Sequence, residues 1–214
     1  MRELDMINLD YGRYKIMEEK VSGQDFILGT VEYEDVLLKS AFHSCSFTFM
    51  RKKFLWLIDC EFYDCKFITK KLVETRINDN YYEGCSFFGE FRGANFGIAT
   101  DVDGVPTRWP DIALKNCDFS KATMSGCGIK RLDRSNTIFP VWPCFSILHP
   151  HENLQRWLDA KLPFQSRFYQ YSSSPGLSAE MYHWPSMVKW YEIDPVPDLE
   201  DVRTALSKLD FIRL

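Results

Sequence analysis

The residues best suited to chemistry in this chain are its seven cysteines, its four histidines and its carboxylates. Thiolates and imidazoles hold transition metals when they lie in close pairs such as Cys-x-x-Cys, and no such pair occurs. His149 and His151 lie close together but lack a third ligand. Asp101, Asp103 and Asp111 share one stretch without the spacing or the terminal glutamate of an EF-hand. We therefore expect no metal site.

Catalytic motifs are also missing from the sequence. The chain has no His-Glu-x-x-His, no Gly-x-Ser-x-Gly and no glycine-rich phosphate or dinucleotide loop. We expect no catalytic residue and no cofactor, and we predict that the protein is not an enzyme.

Six of the cysteines share one feature, a position two residues before a large apolar residue; they are Cys45, Cys60, Cys65, Cys85, Cys117 and Cys127. A reduced cysteine behaves as a small buried hydrophobic residue. We expect these six to be reduced, buried and unreactive. Cys144 lies outside the pattern, and it is the thiol we expect to react.

The large apolar residues recur with a period of five residues. The fold that produces this period must also position the cysteines, histidines and carboxylates. The unbroken run is Phe62, Phe67, Leu72, Ile77, Tyr82 and Phe87. The pattern extends to Leu37, Phe42, Phe47 and Leu57 before it, and to Phe91, Phe96, Phe119, Met124 and Ile129 after it. Neither an α-helix nor a strand has this period. Self-similarity at a fixed period predicts a solenoid.

Several units resemble the pentapeptide-repeat family, whose units read approximately A-(D/N)-L/F-x-x. The best matches are Cys117-Asp118-Phe119-Ser120-Lys121, Gly93-Ala94-Asn95-Phe96 and Cys60-Glu61-Phe62-Tyr63-Asp64. The resemblance covers residues 37 to 139 and implies a right-handed four-sided β-helix, so the predicted class is mainly β. Residues twenty apart would then stack at the spacing of neighbouring strands, about 4.8 Å. Phe47, Phe67 and Phe87 should form one column, with Cys45, Cys65 and Cys85 beside them.

The remaining segments do not repeat. We predict a strand-like N-terminal cap over residues 1–36, a repeat region over 37–139 with a loop insertion at 98–113, and a C-terminal capping region over 140–214 that is helical and irregular. One helix is expected after Pro150, with Leu154, Trp157 and Leu162 on its apolar face, and a second is expected to begin at Asp198. No signal sequence or long apolar span occurs, so a cytoplasmic location is expected.

The distribution of charged residues distinguishes between the possible non-enzymatic functions, which are protein binding, DNA mimicry and nucleic-acid binding. Residues 61 to 140 contain 11 acidic and 11 basic residues. A surface that mimics DNA needs a dense negative array, and direct nucleic-acid binding needs a basic stripe. We therefore predict a protein that binds and neutralises one specific partner, as a bacterial toxin-immunity protein does. The alternatives are a DNA-mimicking protector of DNA gyrase or topoisomerase IV and the β-helix targeting module of a bacterial effector.

We expect partner contacts in the non-repeating parts, because a loop and an aromatic appendage can supply a few strong anchors. The candidates are Asp101, Asp103, Arg108, Trp109, Trp184, Trp190, Tyr191, Glu192 and Asp194. The competing interpretation is that the tryptophans cover the end of the repeats. The sequence predicts no membrane contact and leaves the oligomeric state open.

Overall fold

The computed structural model describes residues 15–29, 35–50, 55–73, 80–97, 112–162 and 177–214. Within these ranges the chain is mainly β. The first fifteen strands are β1 (Lys15–Met17), β2 (Lys20–Ser22), β3 (Asp25–Leu28), β4 (Asp35–Leu38), β5 (Ala41–His43), β6 (Ser46–Phe49), β7 (Leu55–Ile58), β8 (Glu61–Tyr63), β9 (Lys66–Val73), β10 (Tyr81–Glu83), β11 (Ser86–Arg92), β12 (Asn95–Phe96), β13 (Leu114–Lys115), β14 (Asp118–Ser125) and β15 (Cys127–Lys130).

Most of these strands form three parallel sheets, and consecutive strands belong to different sheets. The strand orders are β1-β4-β7, β2-β5-β8-β10-β13 and β3-β6-β9-β11-β14. Phe47 pairs with Phe67, twenty residues later. Because four five-residue units separate the two strands, residues at the same place in the period face each other. Tyr82 instead pairs with Leu114, because the non-repeating stretch around residues 98–111 lies between them in the sequence.

The interior between the sheets is filled by stacked aromatic rings. Phe67 is buried between Phe47 and Phe87, with ring centres 5.3 Å and 5.0 Å apart and planes within 15° of parallel. Phe62 of the neighbouring column meets Phe67 edge-to-face at 5.1 Å. Offset-stacked and edge-to-face geometries are the favourable arrangements of aromatic quadrupoles. The column of Phe47, Phe67 and Phe87 therefore forms as the twenty-residue repeat predicts.

The small inward positions are occupied by buried polar groups that find backbone partners. The thiol of Cys65 donates to the carbonyl of Phe42 at 3.4 Å, and the thiol of Cys85 donates to that of Phe62 at 3.3 Å. Asn80 takes the same position twenty residues after Cys60. Its amide donates to Leu57 O at 2.8 Å, and its oxygen accepts from Cys60 N at 2.9 Å. The position thus suits a short side chain that can hydrogen-bond to the preceding strand.

A left-handed residue directly follows every strand of the β1-β4-β7 and β2-β5-β8-β10-β13 sheets, where the chain leaves one sheet for the next. This residue lies two positions after an inward one, as Asp59 follows Leu57 and Asp64 follows Phe62, with φ of 56° and 52°. Non-glycine residues adopt this conformation at a cost of roughly 1–2 kcal/mol, so the packing around each of these turns must offset that cost. Gly84 takes the equivalent position twenty residues after Asp64, and a Cβ there would collide with the Asp64 carboxylate.

The parallel pairing begins well before residue 37, the expected start of the repeats. Ile16 pairs with Leu37, and Phe26 pairs with Phe47. These partners are 21 residues apart, one more than in the following strands. The extra residue shifts the five-residue period by one between Phe26 and Leu37, and the sequence pattern loses continuity there. Residues 15–28 are therefore part of the parallel sheets and not a separate cap.

The C-terminal region contains a sheet that the sequence analysis did not predict. Its elements are β16 (Cys144–Leu148), α1 (Leu154–Asp159), β17 (Leu177–His183), α2 (Trp184–Trp190), α3 (Leu199–Ser207) and β18 (Ile212–Arg213). β17 runs antiparallel between β15 and β16, in the order β12-β15-β17-β16-β18. An antiparallel strand on β15 satisfies backbone groups that would otherwise form an open edge.

This sheet separates two hydrophobic cores. β17 carries Ala179 and Met181 into the core of the parallel sheets and Tyr182 into a second core. The second core contains Phe145, Ile147, Trp157, Leu162, Tyr182, Trp184, Met187, Ile193, Val202, Leu206, Phe211 and Ile212. The C-terminal region therefore has its own interior.

The two predicted C-terminal helices both occur, but only the start of the second was predicted correctly. Asp198 caps α3, where its carboxylate accepts hydrogen bonds from the backbone N–H groups of Glu200 and Asp201 at 2.8 Å and 3.3 Å. The first helix spans Leu154–Asp159, so Leu162, which was expected on its apolar face, lies beyond its end and is buried in the second core. No helix among the described residues is long and apolar enough to cross a membrane.

Candidate functional site

A pocket of about 310 Å³ opens where the parallel sheets meet the C-terminal region. Its lining comes from the end of β11 and the residue after it, the end of β14 and the residue after it, strand β17 and the end of α2. The lining residues are Arg92, Gly93, Ser125, Gly126, Glu180, Tyr182, Trp190 and Tyr191. We call it the Glu180 pocket. Among these residues Glu180 is the one acidic group and Arg92 the one basic group.

Arg92 and Trp190 form one side of the pocket. The guanidinium carbon of Arg92 lies 3.8 Å from the centre of the Trp190 ring. Arginine stacked on an aromatic face keeps its N–H groups pointing outward in the plane of the guanidinium, where they can bind a carboxylate. Both residues are half-buried. The contact therefore orders a cation at the rim of the pocket.

Glu180 is a carboxyl group in a mostly buried position. It is 8% exposed, and its Oε2 has no hydrogen-bond partner among the described residues. Burial raises the pKa of Glu180 to about 7, and the nearby Tyr182 hydroxyl partly offsets this effect. The fully buried hydroxyl of Ser125, also in the lining, likewise has no partner among those residues. Buried polar groups without partners are few in native proteins, so each calls for an explanation.

A second ordered feature lies on the outer face of the sheet that contains β5, β8 and β10. We call it the outer ladder, and it consists of His43, Glu61, Tyr63, Tyr81 and Glu83. The His43 and Tyr63 rings stack at 4.6 Å with planes 7° apart, and Tyr63 and Tyr81 lie 5.7 Å apart. Partner contacts were expected in the non-repeating parts, whereas the outer ladder lies on a face of the repeats. Its signal was the twenty-residue spacing of His43, Tyr63 and Glu83, and of Glu61 and Tyr81.

Hydrogen bonds hold the outer ladder in place. The Tyr63 hydroxyl donates to Glu61 Oε2, and the Tyr81 hydroxyl donates to Glu83 Oε2, both at 2.7 Å. Lys115 Nζ lies 2.8 Å from Glu83 Oε1. The ammonium of Lys115, together with the Tyr81 hydroxyl, lowers the pKa of the Glu83 carboxyl. The aromatic rings are thus presented in a fixed geometry between carboxylates.

The predicted partner-binding aromatics fall into different environments. Trp184 is 2% exposed and packs in the second core, so the expectation that it anchors a partner is wrong. Its place at the first position of α2 turns it inward. Trp190 and Tyr191 line the Glu180 pocket. Of the acidic candidates, Glu192 and Asp194 are exposed.

The segment after Asp194 combines exposed charges with exposed apolar side chains. Val196 is 57% exposed and Leu199 is 40% exposed. They lie among exposed acidic residues at 194, 198, 200 and 201. The other four candidates, Asp101, Asp103, Arg108 and Trp109, lie outside the described residues.

The cysteines are all buried and reduced, including Cys144. Burial raises the pKa values of Cys60, Cys117 and Cys127 to about 12. Cys144 was expected to be the reactive one, but it is 3% exposed because β16 turns it towards the core. No group of three or more His, Cys, Asp or Glu side chains in the described ranges could hold a metal ion.

One Ser–His contact exists in the described structure. His183 Nδ1 lies 2.9 Å from Ser186 Oγ. His183 precedes α2 and Ser186 is in its first turn, so the contact is local to the helix start. A hydrolytic site also needs oxyanion donors and space for a substrate at the nucleophile. Neither side chain lines the Glu180 pocket.

Comparison of the chain with protein-family models, with curated proteins and with solved structures finds no match.

Proposed function

We propose that the three parallel sheets are sides of a right-handed four-sided β-helix of the pentapeptide-repeat kind. The supporting observations are the strand pairing at 20 or 21 residues and the left-handed residue that follows every strand in two of the three parallel sheets. The interior of such a helix is filled by side chains. Function must then lie on its outer faces or at its ends.

The function that the geometry supports best is protein binding without catalysis, and we propose that the chain neutralises one specific partner, as a toxin-immunity protein does. The observation that carries this proposal is the outer ladder. Tyrosine is enriched among the interface residues that contribute most of the binding free energy between proteins. Ordering a free side chain on binding costs about 0.5–1.5 kcal/mol, and rings that are already stacked and hydrogen-bonded avoid most of that cost.

The charge of the exposed surface favours a basic partner. Glu61 and Glu83 flank the tyrosines of the ladder, and Glu83 is held ionised by Lys115. The C-terminal segment from Asp194 to Asp201 adds further exposed carboxylates around Val196 and Leu199. Complementary charge increases the association rate and excludes partners of like charge. A nuclease or another nucleic-acid-binding toxin has the required basic surface.

The experiment is a comparison of captured proteins by mass spectrometry, from cells of the organism that encodes the chain. The test variant replaces Tyr63 and Tyr81 by serine, which removes the ladder rings but leaves the inward residues intact. The control replaces Met50, an apolar residue that is 59% exposed, by serine. We expect one protein to be enriched by the native chain and the control but lost from the ladder variant, at an unchanged melting temperature.

Two results would contradict this function. Equal capture by all three proteins would remove the ladder from the interface. Inhibition of DNA gyrase supercoiling by the purified protein, or protection of gyrase from a quinolone, would favour the DNA-mimic function instead. The contribution of the loop residues Arg108 and Trp109 stays a prediction, and their double alanine variant is expected to weaken partner binding at least tenfold.

A further inference from the structure

The Glu180 pocket contains features that protein binding on the outer ladder does not explain. It lies between β11, β14, β17 and α2, away from the ladder strands β5, β8 and β10. Its volume of about 310 Å³ is at the lower end of the roughly 300–1,000 Å³ that small-molecule pockets span. The occupant of such a pocket is a small molecule or a single terminal group.

The inner wall of the pocket contains polar atoms that lack hydrogen-bond partners in the part of the chain that the structure describes. Glu180 is more than nine-tenths buried, and its Oε2 has no hydrogen-bond partner among the described residues. The Ser125 hydroxyl, which is completely buried, is in the same condition. A ligand with N–H donors would satisfy the carboxylate, and the hydroxyl can donate or accept. These atoms therefore indicate an amino group at the inner end of the ligand.

The rim of the pocket offers the opposite charge. The Arg92 guanidinium stacks on Trp190, and this uses its flat face and leaves its N–H edge for hydrogen bonding. A planar carboxylate is the best match for that edge, since two parallel N–H···O bonds can form. The aromatic side chains of Tyr182, Trp190 and Tyr191 add apolar surface to the pocket lining.

We propose that the Glu180 pocket binds a small zwitterion of the amino-acid class, with its ammonium group on the Glu180 carboxylate and its carboxylate on the Arg92 guanidinium. A ligand with only a positive group would meet the repulsion of Arg92, and a ligand with only a negative group would meet that of ionised Glu180. A zwitterion is complementary to both. The pKa of Glu180, raised to about 7, means that a bound ammonium group would draw a proton off the carboxyl near neutral pH.

The probes for the test are the twenty L-amino acids, screened against the full chain by thermal shift at millimolar concentration. The tightest one is then measured by calorimetry beside two analogues, the amine that lacks its carboxylate and the acid that lacks its amino group. The same amino acid at the C-terminus and at the N-terminus of a short peptide distinguishes a free metabolite from a chain end. We expect the free amino acid to bind at least tenfold more tightly than either analogue.

Two variants and a matched control assign the contacts. Glu180→Gln and Arg92→Met should each weaken amino-acid binding at least tenfold, which equals about 1.4 kcal/mol. Glu200→Gln and Arg203→Met, which change exposed residues of α3, should leave it unchanged. Arg92 is at the rim, so its variant keeps the test valid if Glu180→Gln is poorly folded.

Three outcomes would overturn the proposal. They are the absence of binding by every amino acid, equal binding of the amino acid and its amine, and unchanged affinity in a folded Arg92→Met variant. None of them bears on the outer ladder, so the proposed function and the pocket ligand fail separately.

Discussion

The Arg92 guanidinium carbon lies 3.8 Å from the centre of the Trp190 ring. The contact joins the end of β11, a strand of the parallel sheets, to the end of α2 in the C-terminal region. It fixes one side of the Glu180 pocket. The two residues therefore hold together parts of the chain that no local sequence pattern links.

A double-mutant cycle measures that contact. Arg92→Met and Trp190→Leu keep apolar bulk and remove the cation and the ring in turn. We expect a coupling free energy of about 0.5–1 kcal/mol, because cation–π contacts at partly exposed sites fall in that range. Urea unfolding of the native protein, both single variants and the double variant gives the value. Additive effects of the two substitutions would show that the stacked geometry does not persist in solution.

The ring column predicts the stability of the repeat region. Phe67→Ala should lower the free energy of unfolding by about 3–5 kcal/mol, since it removes a buried ring between Phe47 and Phe87. Ile68 follows on the opposite face and is 38% exposed, so Ile68→Ala serves as the control with a much smaller loss. Chemical denaturation checks both. A similar loss in the two variants would contradict the column.

The buried thiols predict chemical inertness. All seven cysteines should resist a bulky disulfide reagent in the folded protein, because their side chains are buried and the reagent cannot reach them. This now includes Cys144, whose thiol pKa is raised by burial. Ellman's reagent should titrate seven thiols only after denaturation. Rapid labelling of any one of them in the native state would argue against its burial.

Glu180 predicts a pH-dependent stability. Its pKa is about 7 in the folded protein, against an ordinary value of 4.5. Between these values the folded state holds a proton that the unfolded state has lost, so stability falls as the pH rises, by at most about 1.4 kcal/mol per pH unit. Above pH 7 the effect levels off.

Glu180→Gln removes this titration. The difference in unfolding free energy between the native protein and the variant should change in favour of the variant as the pH rises from about 5 to about 7.5. Denaturation curves at four pH values within that window measure the difference. Parallel stability profiles of the two proteins would mean that Glu180 has an ordinary pKa.

The cap of α3 gives a local prediction. Asp198→Ala should lower stability by about 0.5–2 kcal/mol, because two backbone N–H groups lose their acceptor. Asp194→Ala removes an exposed carboxylate outside the helix and should have little effect. Thermal and urea unfolding of both variants provide the comparison. Equal destabilisation would point to charge rather than capping.

The five-residue period by itself predicted a repeating fold, because each unit makes the same move relative to the core. The number of units per turn was implied by the resemblance to the pentapeptide-repeat family, and with four units residues twenty apart lie face to face. Together they predicted Phe47, Phe67 and Phe87 in one column, and the carboxylate of Asp198 was enough to predict the start of α3. Local patterns carry such features, since they depend on neighbours within a turn or on strict repetition. The extension of the sheets to residue 15 was missed because a single inserted residue hides the repeat.

The Glu180 pocket could be decided only by the tertiary structure. In the sequence, Glu180 is one carboxylate in a short alternating stretch, and its burial depends on β17 returning antiparallel to lie between β15 and β16. The same return turns Trp184 into the second core and leaves Trp190 at the pocket rim. The sequence cannot distinguish these two tryptophans, because the burial of each is set by packing against segments far away in the chain.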